Sequence, residues 1–296
     1  MEGKARMIVA WFAVVVFAVV SLPGNAEAGA WVKKPGSTYA KLAGEIFSSK
    51  TNFDVEGHLM ESMPDYSHFG ARAYLELGLL PRVGIAAGTA LLSAKNTLDD
   101  GRDFNRTGFG DLDVRLDAQI FRAGGCALAA NMKGRIPLYS GMVQPGDQAT
   151  AAMSKDSDDK FEPILGDGSY EFTPTAAFGC GFPGPGWATA HAGPNFRFDG
   201  FGNGLSYGVG AGFYVLPDRL AITANASGVQ RFSDTNERPT KSYLNVGGGL
   251  IVGLFGNVSV EANAGYTPTG AFVARGWSGS LGFSYGGALF PNPFGK

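Results

Sequence analysis

The stretch Phe109 to Phe121 reads FGDLDVRLDAQIF, and its period decides the fold. From Asp111 onward the odd positions Asp111, Asp113, Arg115, Asp117 and Gln119 are polar, while Leu112, Val114, Leu116, Ala118 and Ile120 between them are apolar. Alternation with a period of two describes a strand with two different faces. In a soluble sheet the apolar face packs on a core. In a membrane barrel it faces lipid, and the charged face meets water inside.

The rest of the chain favours the barrel. Lys4 and Arg6 precede an apolar run from Met7 to Leu22, a break at Pro23-Gly24, and Ala26-Glu27-Ala28. This is the layout of a secretory signal cut after Ala28, and the run is shorter than the roughly 20 residues of a spanning helix. Residues 1–28 are therefore expected to be a cleaved signal, and residues 29–296 one mature domain. No later run is apolar enough to cross a bilayer as a helix, so membrane entry would require a closed sheet. Lys and Arg number 24 against 26 Asp and Glu, a net charge of −2, which offers no nucleic-acid surface. The 45 glycines are dispersed along the chain and exceed typical soluble usage. Within strands they ease close backbone approach and bending.

About twelve segments of the same kind follow residue 36, at 37–47, 67–79, 83–94, 109–121, 126–138, 169–180, 187–198, 206–216, 219–232, 241–253, 257–266 and 276–286. Each is long enough to cross a bilayer as a tilted strand. Their connections alternate in length. Short turns rich in Gly, Pro and Asp (LPR, RAGG, GFPGPG, PD, LFG) alternate with mostly long polar loops at 48–66, 95–108, 139–168, 199–205, 233–240 and 267–275. Short periplasmic turns opposite longer external loops mark an outer-membrane barrel. A β-sandwich also alternates along its strands, but gives no reason for loops to be long at one end only. The expected fold is thus all-β: a transmembrane, antiparallel, up-and-down barrel of about twelve strands.

Parity sorts the side chains. With Asp111, Asp113, Arg115 and Asp117 inward, the neighbouring strands turn Arg72, Tyr74 and Glu76, then Asn131, Lys133 and Arg135, the same way; His191, Asn195, Arg197, Glu261 and Asn263 follow. The candidate pore-lining set is Arg72, Glu76, Asp111, Asp113, Arg115, Asp117, Lys133, Arg135, His191 and Arg197. Such charges serve either a polar pore that selects electrostatically or salt bridges that fill a narrow barrel. Four strands instead turn Gly, Ala and Ser inward (Gly84, Ala86, Gly88; Gly208, Gly210, Gly212; Gly247, Gly249; Ser278, Ser280, Ser284), and free space is expected there. Aromatic residues near strand ends, among them Tyr66, Phe69, Phe109, Phe121, Tyr139, Trp187, Phe198, Phe232, Tyr243, Tyr266, Trp277 and Phe283, suit two interfacial girdles.

Cys126 opens one strand and Cys180 closes the next, with the same outward parity, at the end where an exported chain meets oxidising conditions. A disulfide between them would close the long loop. No metal-ligand spacing appears among three histidines and two cysteines, and no cofactor is expected. Asp156, Asp158 and Asp159 in the long loop are either solvated or collect a divalent cation, without EF-hand spacing. Barrel lipid hydrolases pair Ser with His near the membrane edge; here Gly193 follows His191 where one such motif places Ser.

The expected mature start GAWVKKPGSTYAKLAGEIF, the loop-to-strand stretch TGFGDLDVRLDAQIF and the later ILGDGSYEFTPTAAFG resemble bacterial outer-membrane proteins grouped with meta-pathway phenol degradation. That resemblance implies passage or binding of small, often apolar, organic molecules and carries over no residue roles. One departure is the tail GGALFPNPFGK beyond Tyr285, where many barrels end on an aromatic residue. The expected function is a passive channel or binding protein, not an enzyme. The alternatives are a barrel lipid hydrolase with a Ser in reach of His191 and a structural or surface-interaction barrel with a closed lumen. Expected partners are outer-membrane lipid, an unidentified small solute and the barrel-assembly machinery after export through the periplasm.

Overall fold

The computed structural model describes residues 29–60, 65–139, 162–166, 168–182, 186–198, 200–217, 219–232 and 240–288; the expected signal peptide and Asp156, Asp158 and Asp159 lie outside them. Among the described residues, fourteen strands form one antiparallel sheet. In chain order they are β1 (Ser37–Phe53), β2 (Leu59–Met60), β3 (Asp65–Leu80), β4 (Val83–Thr97), β5 (Asp103–Phe109), β6 (Asp111–Ala123), β7 (Cys126–Pro137), β8 (Glu171–Gly181), β9 (Gly186–Arg197), β10 (Gly204–Leu216), β11 (Leu220–Arg231), β12 (Ser242–Gly253), β13 (Val258–Ala271) and β14 (Val273–Ala288). β2 and β5 are side additions to β1 and β4. The other twelve pair with their neighbours, and β14 returns to β1 from Ser37↔Ala288 to Phe53↔Val273, so the sheet closes without an edge.

The opening stretch behaves as its period dictates. Asp113 stands opposite Arg135 and Asp117 opposite Asn131 on one face, with Leu112 opposite Ile136 and Leu116 opposite Met132 on the other. Asp117 is 1 % exposed and Leu116 44 %, so the polar face is inside and the apolar face outside. Ile46, Phe69, Leu91, Phe109, Val209, Phe213, Ile222, Trp277, Leu281 and Phe283 extend the exposed apolar surface around the barrel. In water so large a patch is untenable, and in a bilayer it is required.

Each expected strand is present, and several run past their expected ends. β1 reaches Phe53, β13 and β14 reach Ala271 and Val273, and 95–108 is largely a hairpin of β4 and β5. The outer loops at 48–66, 95–108 and 267–275 are correspondingly shorter than expected. The polar residues there hid continued strand, because a strand outside the bilayer needs no apolar face. β5 and β6 are one strand interrupted at Gly110: Leu91 faces Phe109 while Gly88 faces Asp113, so one extra residue sits on the bulged side and parity flips. Phe109 consequently points out, although Asp111 points in.

Cys126 pairs with Cys180 in register and the two are bonded, with an S–S distance of 2.00 Å. β8 and β9 pair at Phe172↔Phe196 and again at Ala176↔Ala192, with Pro174 and Pro194 in the gap. Neither proline has an N–H to donate to a ladder. Gly193 lets the chains stay close there: a Cβ on it would lie 1.9 Å from the Pro174 carbonyl oxygen.

Candidate functional site: the barrel lumen

The charged wall of the lumen is built by β3, β6, β7, β8 and β9, and its ions pair with one another. Arg115 Nε is 2.7 Å from Asp117 Oδ1 and its Nη2 is 3.7 Å from Glu76. Asp113 takes Arg135 at 2.9 Å and Lys133 at 3.1 Å. Arg135 continues to Glu171 at 3.7 Å, and Glu171 to Arg197 at 3.0 Å. Asp111 lies 3.9 Å from Arg135. Arg72, expected beside the aspartates, instead pairs with Glu45 across β1 at 2.6 Å. The register explains this correction, since Arg72 faces Ala43 on one side and Ala90 on the other and reaches the adjacent acid. Lys41 and the Tyr39 hydroxyl both hold Glu261, each at 2.6 Å. Glu45, Lys41, Tyr39 and Glu171 were absent from the expected set, although the parity of β1 and β8 places them inward by the same rule.

Three further features shape the lumen. At the short-turn end, Ala30, Trp31, Val32 and Lys33 are buried inside the barrel ahead of β1. Trp31 packs with Ala127 and Ala177, with Trp187 against them; Gln119 donates to the Ala30 carbonyl at 3.3 Å, and Lys33 lies over the Tyr39 ring. No signal in the alternation marks this segment, because it is not a strand. At the other end, Leu165 packs on Ala90, Leu92 and Ala94, with Tyr66 and Tyr139 beside it. The small inward face of β4 is filled as well, contrary to the free space expected there: a Cβ on Gly84 would lie 3.2 Å from Val32 Cγ1, and one on Gly88 3.1 Å from the Tyr74 ring. Tyr66, Tyr139 and Trp187 accordingly belong to the interior and not to a girdle.

The third feature is how glycines are used. On β10, Gly208, Gly210 and Gly212 face His191, Thr189 and Trp187 of β9. A Cβ on Gly208 would lie 2.4 Å from His191 Cε1, and one on Gly212 would lie 2.1 Å from the Trp187 ring. The side chains of β9 thus lie sideways along the wall over a glycine trench. What remains open shows as inward residues that water reaches: Arg72, His191, Asn225, Asn245 and Ser278 are all exposed. Asn245 and Ser278 sit on β12 and β14, where small residues were expected to leave space, and Asn225 sits on β11 between β10 and β12.

His191 faces Gly208 on β10 and Ala177 on β8. The serine that a lipid hydrolase would need is at neither position, and among the described residues no hydrogen bond joins His191 to a serine. Outside the membrane span, Asp54 closes the turn after β1 by accepting N–H bonds from Glu56 and His58, both at 2.8 Å. The His58 N–H is the main cause that holds its carboxyl below the ordinary aspartate value. Asp54, Glu56 and His58 lie close enough to meet at one ion, but the turn's own hydrogen bonds account for the arrangement.

No protein-family model matches the sequence, and no curated protein matches it. Among solved structures, the COG4313 outer membrane channel from Pseudomonas putida F1 aligns with a TM-score of 0.61 at 14 % identity, over 90 % of this chain and 100 % of that one. The KdgM porin in complex with disordered oligogalacturonate gives 0.48 at 8 % identity, over 83 % and 98 %. The TodX monoaromatic hydrocarbon channel gives 0.42 at 8 % identity, over 88 % and 91 %. Twelve strands closed antiparallel, an apolar exterior and the first of these likenesses together give the chain the fold of bacterial outer-membrane β-barrels.

Proposed function

We propose that the protein is a passive channel of the bacterial outer membrane for small organic solutes. The observation that carries this reading is the set of inward side chains that water reaches at mid-strand, His191 on β9, Asn225 on β11 and Ser278 on β14. A lumen packed solid by salt bridges would leave them buried. The inward set Arg72, Glu76, Asp111, Asp113, Arg115, Asp117, Lys133, Arg135, His191 and Arg197 would then line the pathway or brace its wall. The fold it shares with an outer membrane channel agrees with the reading. The apolar exterior would be solvated by outer-membrane lipid after export and insertion by the barrel-assembly machinery.

A specific observation also favours a gated or closed resting state: residues 30–33 are buried at the short-turn end. Single-channel recording of the refolded mature chain in a planar bilayer tests the proposal. Discrete openings are expected. A heat-modifiable, folded barrel that stays silent, and remains silent in Trp31→Ala, would overturn the channel in favour of a structural barrel.

A further inference from the structure

Resting on the channel reading, we infer that the open stretch of the lumen is a selectivity site for uncharged solutes that carry hydroxyl or amide groups. It is formed by His191, Asn225, Asn245 and Ser278.

The charged wall argues for this by what it does not offer. Arg72, Arg115, Lys133, Arg135 and Arg197 each stand within 3.1 Å of a carboxylate on the same wall. A charged solute entering a narrow lumen sheds water, and recovers that cost only from a counter-charge free to meet it. Here such a counter-charge must first be taken from its partner. An anion and a cation meet the same obstacle, so the wall excludes both signs instead of selecting one.

The rest of the wall, from His191 on β9 round to β14, supplies the replacement for water. Among the described residues, the side chains of His191, Asn225 and Ser278 make no hydrogen bond, yet all three are exposed to the lumen. Asn245 accepts from Thr267 at 2.6 Å and remains exposed. Each is uncharged and offers a donor, an acceptor or both. Their spacing follows from the register. Asn225 faces Gly210 and Gly247, while Ser227 beside it faces Gly208 and Asn245, so glycine backbone separates the polar groups. The His191 ring lies flat over Gly208 in the same row. Two strands from His191, Asn131 is 6 % exposed and holds an Oδ1 with no partner, a further acceptor turned inward from β7. A hydroxylated solute can exchange its water for these groups without breaking an ion pair.

The test is swelling of proteoliposomes holding the refolded mature chain, with a three-carbon trio of nearly equal size: glycerol, glycerate and 3-aminopropane-1,2-diol. Rates of protein-free liposomes are subtracted. Glycerol should enter about tenfold faster than either charged analogue, as expected when a lining replaces hydration for one class only. Asn225→Asp, exposed and nearly isosteric, should then accelerate the amine relative to glycerol and slow glycerate further. If either charged solute matches glycerol within about threefold in the wild type, the selectivity site is wrong while the channel stands. If none of the three enters, in the wild type or in Trp31→Ala, the channel itself fails and this inference with it.

Discussion

Trp31→Ala should widen the passage at the short-turn end of the barrel. Trp31 is 8 % exposed and lies against Ala127, Ala177 and Gly179 on the wall. Truncating a buried Trp to Ala costs about 3–5 kcal/mol. Part of this contact adjoins water, so the lower end applies, and about 1.4 kcal/mol per power of ten makes the undocked segment roughly 100-fold more populated. Docking does not vanish, because the Gly36 N–H still bonds the Gly78 carbonyl at 3.0 Å and Gln119 still reaches Ala30. The assay is single-channel conductance, with the time-averaged current and the open fraction both expected to rise. Gly179→Val provides an independent route to the same end, since a Cβ there would lie 2.7 Å from the Trp31 ring and push it off the wall. Unchanged conductance in both folded variants would refute the reasoning: the segment would then sit in the lumen without obstructing it.

Removing the disulfide as Cys126→Ser/Cys180→Ser, which separates residues 54 apart in sequence, should lower unfolding free energy by about 4 kcal/mol in the chain-entropy estimate; a urea midpoint equal to that of the oxidised wild type would contradict it. Asp54 is held below the ordinary aspartate value by the His58 N–H. Its contribution to the turn is therefore complete above the unfolded value of about 3.9 and lost as pH falls through the lower folded one. Amide exchange at His58 should stay protected at pH 4, and a loss of protection centred above that value would count against the assignment. Gly193→Ala places a Cβ 1.9 Å from the Pro174 backbone oxygen and should block refolding or cost about 1–3 kcal/mol or more. Gly208→Ala meets the His191 ring first, at 2.4 Å, a side chain and not backbone, so it should fold and show reduced conductance as the ring swings into the lumen.

Much of this fold was legible because a membrane barrel imposes one rule on every strand. Between Asp111 and Gln119 nothing but parity was needed, and the same parity placed Arg72, Glu76, Lys133, Arg135 and Cys126 on their observed faces. The rule holds only where lipid enforces it. Past the bilayer, β5 and the ends of β1, β13 and β14 lose their apolar face while keeping their hydrogen bonds, so 95–108 and 267–275 read as loop and fold as strand. Gly110 shows a second limit. The bulge at this residue flips parity between Phe109 and Asp111, and one glycine among 45 does not announce that.

The interior was less legible, for a different physical reason. Parity tells whether a side chain points inward, but not how far along the wall it leans or what else enters the barrel. Gly84, Ala86 and Gly88 read as vacant space, and Tyr74, Val32 and Leu165 occupy that side of the lumen. Gly208 and Gly212 read the same way and are covered by rings from β9. A glycine in a strand is thus half of a pair whose other member is chosen by register, which composition does not contain. The same holds for charge. An inward Asp113 would make a cation pathway if it stood alone, whereas Asp113 held by Arg135 and Lys133 at 2.9 and 3.1 Å contributes rigidity and almost no free field. Selectivity in such a lumen comes from the residues left over after pairing. Those residues, His191, Asn225 and Ser278 among them, are uncharged and look least informative in the sequence.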